Sequence, residues 1–153
     1  MLSLTPMTQA DYDDYLATAA TTFASEKVKA GTWNEQLAFQ RASETYQRLL
    51  PNGIKTPDNY FYRIDQDKTK VGVLWLAKSH DNPEAAFIYD LYIFKDYQNQ
   101  GIGTEALRLA DDEARQLGFK RIALHVFGHN ERALHVYQKS GFEITDINLE
   151  KPL

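Results

Sequence analysis

The segment with the clearest chemical meaning is residues 98–103, Gln-Asn-Gln-Gly-Ile-Gly, which follows a predicted strand and precedes a predicted helix. Gly101 and Gly103 have no side chain, so an anion can approach their backbone closely. The free N–H groups and the positive dipole end of a helix that begins near Gly103 favour negative charge. The sequence therefore predicts a phosphate-binding site at the start of this helix.

Two other nucleotide-binding motifs do not match this segment. The dinucleotide fingerprint requires a third glycine three residues after Gly103, where Ala106 stands, and an acidic residue near the next strand, which offers His125 instead. The ATP-type loop, which ends in Gly-Lys-Ser/Thr, is absent from the chain. A nucleotide-binding regulatory domain is therefore disfavoured.

A second segment downstream makes the interpretation of residues 98–103 more specific. Residues 94–107 resemble the acetyl-CoA motif of the GNAT acetyltransferases, in which Gln or Arg is followed by two residues, Gly, one residue and Gly or Ala. Residues 130–142 resemble the second motif of that superfamily, Asn-x-x-Ala-x-x-x-Tyr followed by Gly-Phe. The motif-level likeness covers residues 60–145, and the whole chain is similar to uncharacterised bacterial members of the YycN type.

The resemblance implies a mixed, partly parallel α/β sheet of about six or seven strands, flanked by about four helices, with acetyl-CoA as co-substrate. In the family, the strand before the pyrophosphate loop splays from the next parallel strand, and pantetheine fills the gap between them by pairing with backbone groups. Those strands would be residues 87–94 and 121–127 here, and a backbone N–H near Leu91 to Tyr92 would stabilise the developing oxyanion. The residues expected to contact acetyl-CoA are Leu91, Tyr92, Ile93, Gln98, Asn99, Gln100, Gly101, Ile102, Gly103, Thr104, Asn130, Ala133 and Tyr137.

The resemblance also implies direct attack of a neutral amine on the thioester within a ternary complex, so a thiolate departs and needs a proton. Tyr137 stands seven residues after Asn130, where the family carries its acid. A Tyr that only orients the sulfur or packs in the core is the alternative. Asn130 is expected to cap its helix and to touch pantetheine, with capping alone as the alternative.

Asp90 is the candidate general base. It interrupts an apolar strand, where an unpaired carboxylate is costly to bury, so it needs a partner or a function. Strict alternation places Asp90 on the face of Ile88 and away from Leu91. Three roles stay open: a base or water-holder, a salt-bridged structural aspartate, and no dedicated base with a proton wire through water.

The amine acceptor is not specified by any motif. It is expected to be a primary amine, either on a small molecule such as a polyamine, amino sugar or amino acid, or on a protein. Acidic residues can attract a cationic amine, although those in the first turn of a helix also complement its dipole. Aromatic residues can line its pocket or simply pack in the core. The candidates are Asp11, Asp13, Asp14, Glu26, Trp33, Tyr60 and Tyr62.

Hydrophobic periodicity predicts the elements that carry these residues. Strands are predicted at residues 2–7, 60–64, 71–77, 86–94, 121–127 and 142–149. Helices are predicted from about Thr8 to about Leu50 with a break at 31–34, and at 104–117 and 130–139. Because no repeat, linker or low-complexity tract interrupts this pattern, we expect one domain over residues 1–153.

Composition narrows the class of protein further. The net charge is −4 and no Lys/Arg stripe is visible, which argues against nucleic acid and towards a cationic partner. Cysteine is absent, and His125 and His129 are predicted on a strand and its following loop, so no metal site is expected. Without a signal or spanning segment, a cytoplasmic acetyltransferase is expected, with a homodimer left open. A non-catalytic acyl-CoA sensor is the alternative function.

Overall fold

The computed structural model describes residues 1–153 and contains five strands, four α-helices and two short 3-10 turns, at Gly53–Lys55 and Lys95–Tyr97. None of the helices combines the length and the apolar character that a membrane span requires. In chain order the principal elements are β1 Leu2–Pro6, α1 Gln9–Lys29, α2 Glu35–Leu49, β2 Asn59–Gln66, β3 Thr69–Lys78, β4 Ala85–Ile93, α3 Ile102–Gln116, β5 Arg121–Leu124 and α4 Glu131–Lys139.

Local signals define the two N-terminal helices as predicted. Thr8 caps α1, and Asp11 accepts a hydrogen bond from the Thr8 backbone N–H in a reciprocal capping box. Gly31 has a φ of 75°, a left-handed conformation that favours glycine, and the chain breaks there between the two helices. Asn34 then caps α2 by accepting from the Gln36 backbone N–H.

The five strands form one mixed sheet in the order β1-β2-β3-β4-β5. The first three pairings are antiparallel, and β4 and β5 are parallel, joined by α3. The predicted α/β class and partly parallel sheet are confirmed, but the strand count of six or seven is too high. Residues 142–149 do not form the predicted strand, because no other strand pairs with them and a strand needs such a partner.

Both faces of the sheet are covered. Leu74 and Leu76 of β3 pack with Leu107 of α3 in one cluster, the α3-side core. Val73 and Trp75 pack on the opposite face with residues of α1, in the α1-side core. This alternation follows from the period of two along a strand. A central strand buried on both sides fixes β4, its neighbour, between the two helical layers.

The register of β3 against β4 depends on Gly72. A Cβ atom at this position would lie 2.4 Å from the Tyr92 carbonyl oxygen, which is backbone and cannot rotate away. We expect Gly72→Ala to lower the free energy of unfolding by about 1–3 kcal/mol, the usual cost of overpacking. Urea unfolding measures this loss. Gly128→Ala is the control, because its Cβ meets nothing within 4 Å, and an equal loss in both variants would contradict the explanation.

Candidate active site

Helix α3 begins with an open N-terminus. Gly101 precedes it in a left-handed conformation with a φ of 80°, and Asn99 has a φ of 63°, so the chain turns sharply into the helix. Side chains cap α1, α2 and α4, but no side chain accepts a hydrogen bond at the start of α3. The N–H groups of its first turn are therefore available to an anion.

Gly103 lies in this first turn although the fold does not require a glycine there. A Cβ atom would meet only Ile93 Cγ1, at 4.0 Å, and the φ of Gly103 is not left-handed. Glycine in a helix costs about 1 kcal/mol relative to alanine. A ligand that approaches the backbone closely explains why a side chain is absent, whereas internal packing does not.

The amide side chains of the loop bind the loop itself. Gln98 Nε2 donates to the Ile93 carbonyl oxygen at 2.8 Å, and Gln100 Nε2 donates to the Asp96 carbonyl oxygen at 3.3 Å. Both bonds tie the loop to the backbone at the end of β4. These two glutamines thus hold the shape of the turn that presents the α3 N-terminus.

The two parallel strands separate halfway along β4. Their pairing begins at Ala85 and ends where Ile88 faces Leu124, whereas β4 continues to Ile93. Beyond Ile88, Leu91 and Ile93 pair with β3 only. One edge of β4 is therefore open at the loop end of the strand, because β5 ends at Leu124 and not at residue 127 as predicted.

A β-bulge lies at this point of separation. Ile88 and Asp90 oppose consecutive residues of β3, so Tyr89 is the extra residue. Strict alternation fails across it: Ile88 and Leu91 contact the same core cluster, against α3. Asp90 turns to the other side, where the Tyr15 hydroxyl donates to its Oδ2 at 2.7 Å. The grouping of Asp90 with Ile88 was therefore wrong, because the inserted residue changes the parity of the strand.

Asp90 has no cationic partner in this position. It belongs to none of the ion pairs of the structure. Burial raises the pKa of Asp90, although the Tyr15 hydroxyl and the Leu91 backbone N–H favour its ionised form. Burial and the negative charge of Asp90 together raise the pKa of Tyr15 and of Tyr46. The carboxylate is thus surrounded by neutral phenols.

Tyr137 faces the same gap from α4. Asn130 caps this helix by accepting from the Ala133 backbone N–H at 3.2 Å, as expected. The half-buried Tyr137 ring packs edge-on against Phe142. Its hydroxyl takes part in none of the side-chain hydrogen bonds of the structure. Burial, and then the charge of Asp90, raise the pKa of Tyr137. Asp90 and Tyr137 are therefore close enough to interact electrostatically.

The other predicted candidates make ordinary structural contacts. The Tyr62 hydroxyl donates to Glu113 Oε1 at 2.8 Å within the α3-side core, and Tyr60 packs against that same core. Trp33 contacts Phe23 edge-on at 5.5 Å. Asp11 completes the α1 capping box, and Asp13 accepts from Gln9 on that helix. Glu26 is bound by His129 at 2.8 Å, whereas His135 is exposed on α4.

Tyr15 and Tyr46 are functional candidates that sequence reasoning missed. In the sequence, Tyr15 and Tyr46 stand among apolar residues at helical spacing, which is the usual pattern of a core face and does not mark a site. Both are indeed packed against the α1-side core, but Asp90 influences both. No local pattern predicts a contact between residues 75 positions apart.

A hollow of about 520 Å³ lies apart from this site. Arg48, Lys78 and His80 line it near the start of β2 and the end of β3. It touches neither α3 nor α4. The gap between β4 and β5, and not this hollow, therefore contains the groups suited to acetyl transfer.

Comparison with known proteins gives this arrangement a family. The model of the acetyltransferase (GNAT) family matches residues 23–142. The uncharacterised N-acetyltransferases YdgE and YycN of Bacillus subtilis are 35% and 36% identical to the chain; the matches cover 99% of it, and 98% and 99% of the relatives.

Solved structures agree with these relatives. The crystal structure of YycN superposes with a TM-score of 0.95 at 35% identity, covering 100% of this chain and 99% of that one. The aminoglycoside N-acetyltransferase AAC(6')-Iy in complex with CoA superposes with a TM-score of 0.66 at 11% identity, over 100% of this chain and 95% of that one, which shows a shared fold alone. The chain belongs to the GNAT family and is an N-acetyltransferase.

Proposed function

We propose that residues 1–153 form one catalytic domain that transfers an acetyl group from acetyl-CoA to a primary amine by direct attack in a ternary complex. The observation that carries this proposal is the uncapped N-terminus of α3, which stands at the open edge of β4. The first feature suits a pyrophosphate and the second suits an amide-bearing chain such as pantetheine. The AAC(6')-Iy relative, whose structure contains CoA, supports the same donor.

The residues present fit this donor. The first-turn N–H groups of Ile102, Gly103 and Thr104 would hold the pyrophosphate, with Asn99 and Gly101 shaping the turn. The backbone of β4 would pair with pantetheine, and α4 would cover it. Bound acetyl-CoA supplies a thioester carbonyl as the electrophile. The proposed contact set is Leu91, Tyr92, Ile93, Gln98, Asn99, Gln100, Gly101, Ile102, Gly103, Thr104, Asn130, Ala133 and Tyr137.

Tyr137 is the proposed acid. Its raised pKa keeps the phenol protonated at neutral pH, so it can donate a hydrogen bond as negative charge develops on the departing sulfur. No hydrogen bond contributes to the pKa of Tyr137, so its hydroxyl is free to donate to the sulfur.

Asp90 is the proposed base or water-holder. Tyr15 occupies its Oδ2, and no side chain donates to Oδ1, which can accept a proton from the ammonium directly or through a water. Burial raises the pKa of Asp90, and a carboxylate of higher pKa is the better base. Tyr15 positions this carboxylate. An acyl-CoA sensor would need neither the free Tyr137 hydroxyl nor the unpaired Asp90, so catalysis is favoured.

The acceptor is proposed to be a small cationic amine. The chain carries a net charge of −4, and Asp90 itself stands in the gap without a cation. Aminoglycoside acetyltransferases share the fold, although at low identity. A protein amine is the second acceptor class and is separated from the first by screening both.

Blocking the α3 N-terminus should abolish donor binding. Gly103→Trp places a bulky side chain over the first turn, where a Cβ atom would meet only Ile93 Cγ1, at 4.0 Å. We expect acetyl-CoA affinity, measured by calorimetry, to fall at least about 100-fold, since an anion and the indole cannot share the site. Gln116→Trp, at an exposed position in the last turn of the same helix, is the control. Equal binding by both variants would refute the assigned site.

Removing the Tyr137 hydroxyl should slow the chemistry. With an amine acceptor found by screening for thiol release, we expect Tyr137→Phe to lower kcat about 10²- to 10⁴-fold, the usual worth of general acid catalysis. Tyr12→Phe is the matched control, because the Tyr12 hydroxyl is buried without a partner in the α1-side core. Unchanged turnover of the Tyr137 variant would remove this residue from the acid role.

The raised pKa of Asp90 predicts how stability depends on pH. A carboxyl group whose pKa is higher in the folded state stabilises the fold fully below its unfolded pKa, about 3.9, and loses that contribution as pH rises through the folded value. The wild type should therefore lose stability relative to Asp90→Asn as the pH rises from about 4 through the raised folded-state pKa. Urea unfolding across this range measures the difference. Exposed Asp14→Asn is the control, and a flat or opposite trend for Asp90 would contradict its shift.

A further inference from the structure

Residues 143–153 lie unpaired on the surface. The last backbone hydrogen bond of the chain runs from the Phe142 N–H to the Tyr137 carbonyl oxygen at 3.0 Å. After it the chain continues without a turn or bend. Ile147 is 71% exposed and Leu149 90% exposed, and half of the large hydrophobic residues that the structure exposes lie in this segment. An extended apolar segment with a free backbone is an available strand.

The outer edge of the sheet at β5 is not covered by another strand. β5 is the terminal strand and pairs with β4 only, so one edge of Arg121–Leu124 is free. No residue of β5 or α4 is fully buried, although Ile122 and Val136 contact the α3-side core. A strand placed beside β5 would extend that core.

Residues 143–149 and the free edge of β5 are complementary in apolar surface and in charge. Within residues 145–149, Ile147 and Leu149 share one face of an extended chain, which suits the apolar surface of Ile122 and Val136. Charges match as well. The β5 edge begins with Arg121, whereas the segment carries Glu143, Asp146 and Glu150. The preceding Lys120 is already paired with Glu84, at 3.7 Å. Arg121 has no ion-pair partner within the chain.

We propose that two copies of the chain exchange residues 143–149, so that each copy's segment pairs with the β5 edge of the other. The segment leaves α4 at Gly141 and does not turn back to its own β5, so both remain unpaired within one chain. A two-fold exchange pairs the β5 edge and the free segment of each copy, and it closes after two chains. The second copy would then cover α4, which carries Tyr137 and Asn130. The exchange is independent of which donor or acceptor binds.

Mass measurement by light scattering after size exclusion tests the exchange. We expect the wild type to show twice the 17.6 kDa mass of the chain. The double variant Ile147→Asp/Leu149→Asp and the deletion of residues 143–153 should both halve this mass while keeping their circular dichroism. The control variant, Leu37→Asp/Phe39→Asp, alters exposed hydrophobic residues of α2 and should remain dimeric. A monomeric wild type, or a dimer that survives both segment variants, would overturn the exchange.

Cross-linking separates exchange from any other dimer. The chain contains no cysteine, so single sites can be introduced cleanly. Arg121→Cys and Asn148→Cys chains with tags of different length are refolded together and treated with a flexible bis-maleimide. Exchange predicts a product that joins the two different chains, because neither chain carries both sites. Absence of that product would show that the segment does not reach the β5 edge of a second copy.

Discussion

The site depends on where β4 and β5 stop pairing. Because the bulge at Tyr89 coincides with the last pair, Ile88 and Leu124, one strand edge opens while the strand itself stays anchored to β3. A parallel partner also requires a crossover, and α3 makes it from the end of β4. The helix start and the open edge are therefore neighbours by topology. Both donor-binding features follow from one interruption of the sheet.

The same bulge sets the electrostatics of the gap. It directs Asp90 away from the α3-side core and against Tyr15, where burial disfavours its charge and no cation compensates. Such an arrangement lowers stability and is typical of groups retained for chemistry. Tyr137, raised in pKa by burial and by that charge, stays protonated across the gap. The proposed proton acceptor, Asp90, and the proposed proton donor, Tyr137, are thus close enough for the charge of the first to act on the second.

The local geometry of the proposed donor site could be predicted from sequence because its signals are local. The turn at Gly101, the bare helix start at Gly103 and the cap at Asn130 each involve a few consecutive residues. The bulge was not predictable, since an extra residue leaves no mark in an apolar strand. Tyr15 and Asp90 meet only through tertiary packing. Residues 142–149 have the alternation of a strand, but pairing, which alternation does not encode, decides whether one forms.

The same difference between local and long-range signals explains why the sequence indicates the acetyl donor and not the amine acceptor. In the proposed site, backbone N–H groups and a strand edge would recognise the donor, so the sequence needs only to omit side chains there, and the result is a short motif. We propose that recognition of the amine depends instead on side chains from α1, α2 and the loop after β5. His129 of that loop contacts Glu26, and the Lys27 ammonium lies within 6 Å of the Phe127 ring, which ties the end of α1 to this loop. Acceptor choice is therefore distributed over long-range contacts, which explains why the family match identifies the reaction class and leaves the amine to experiment.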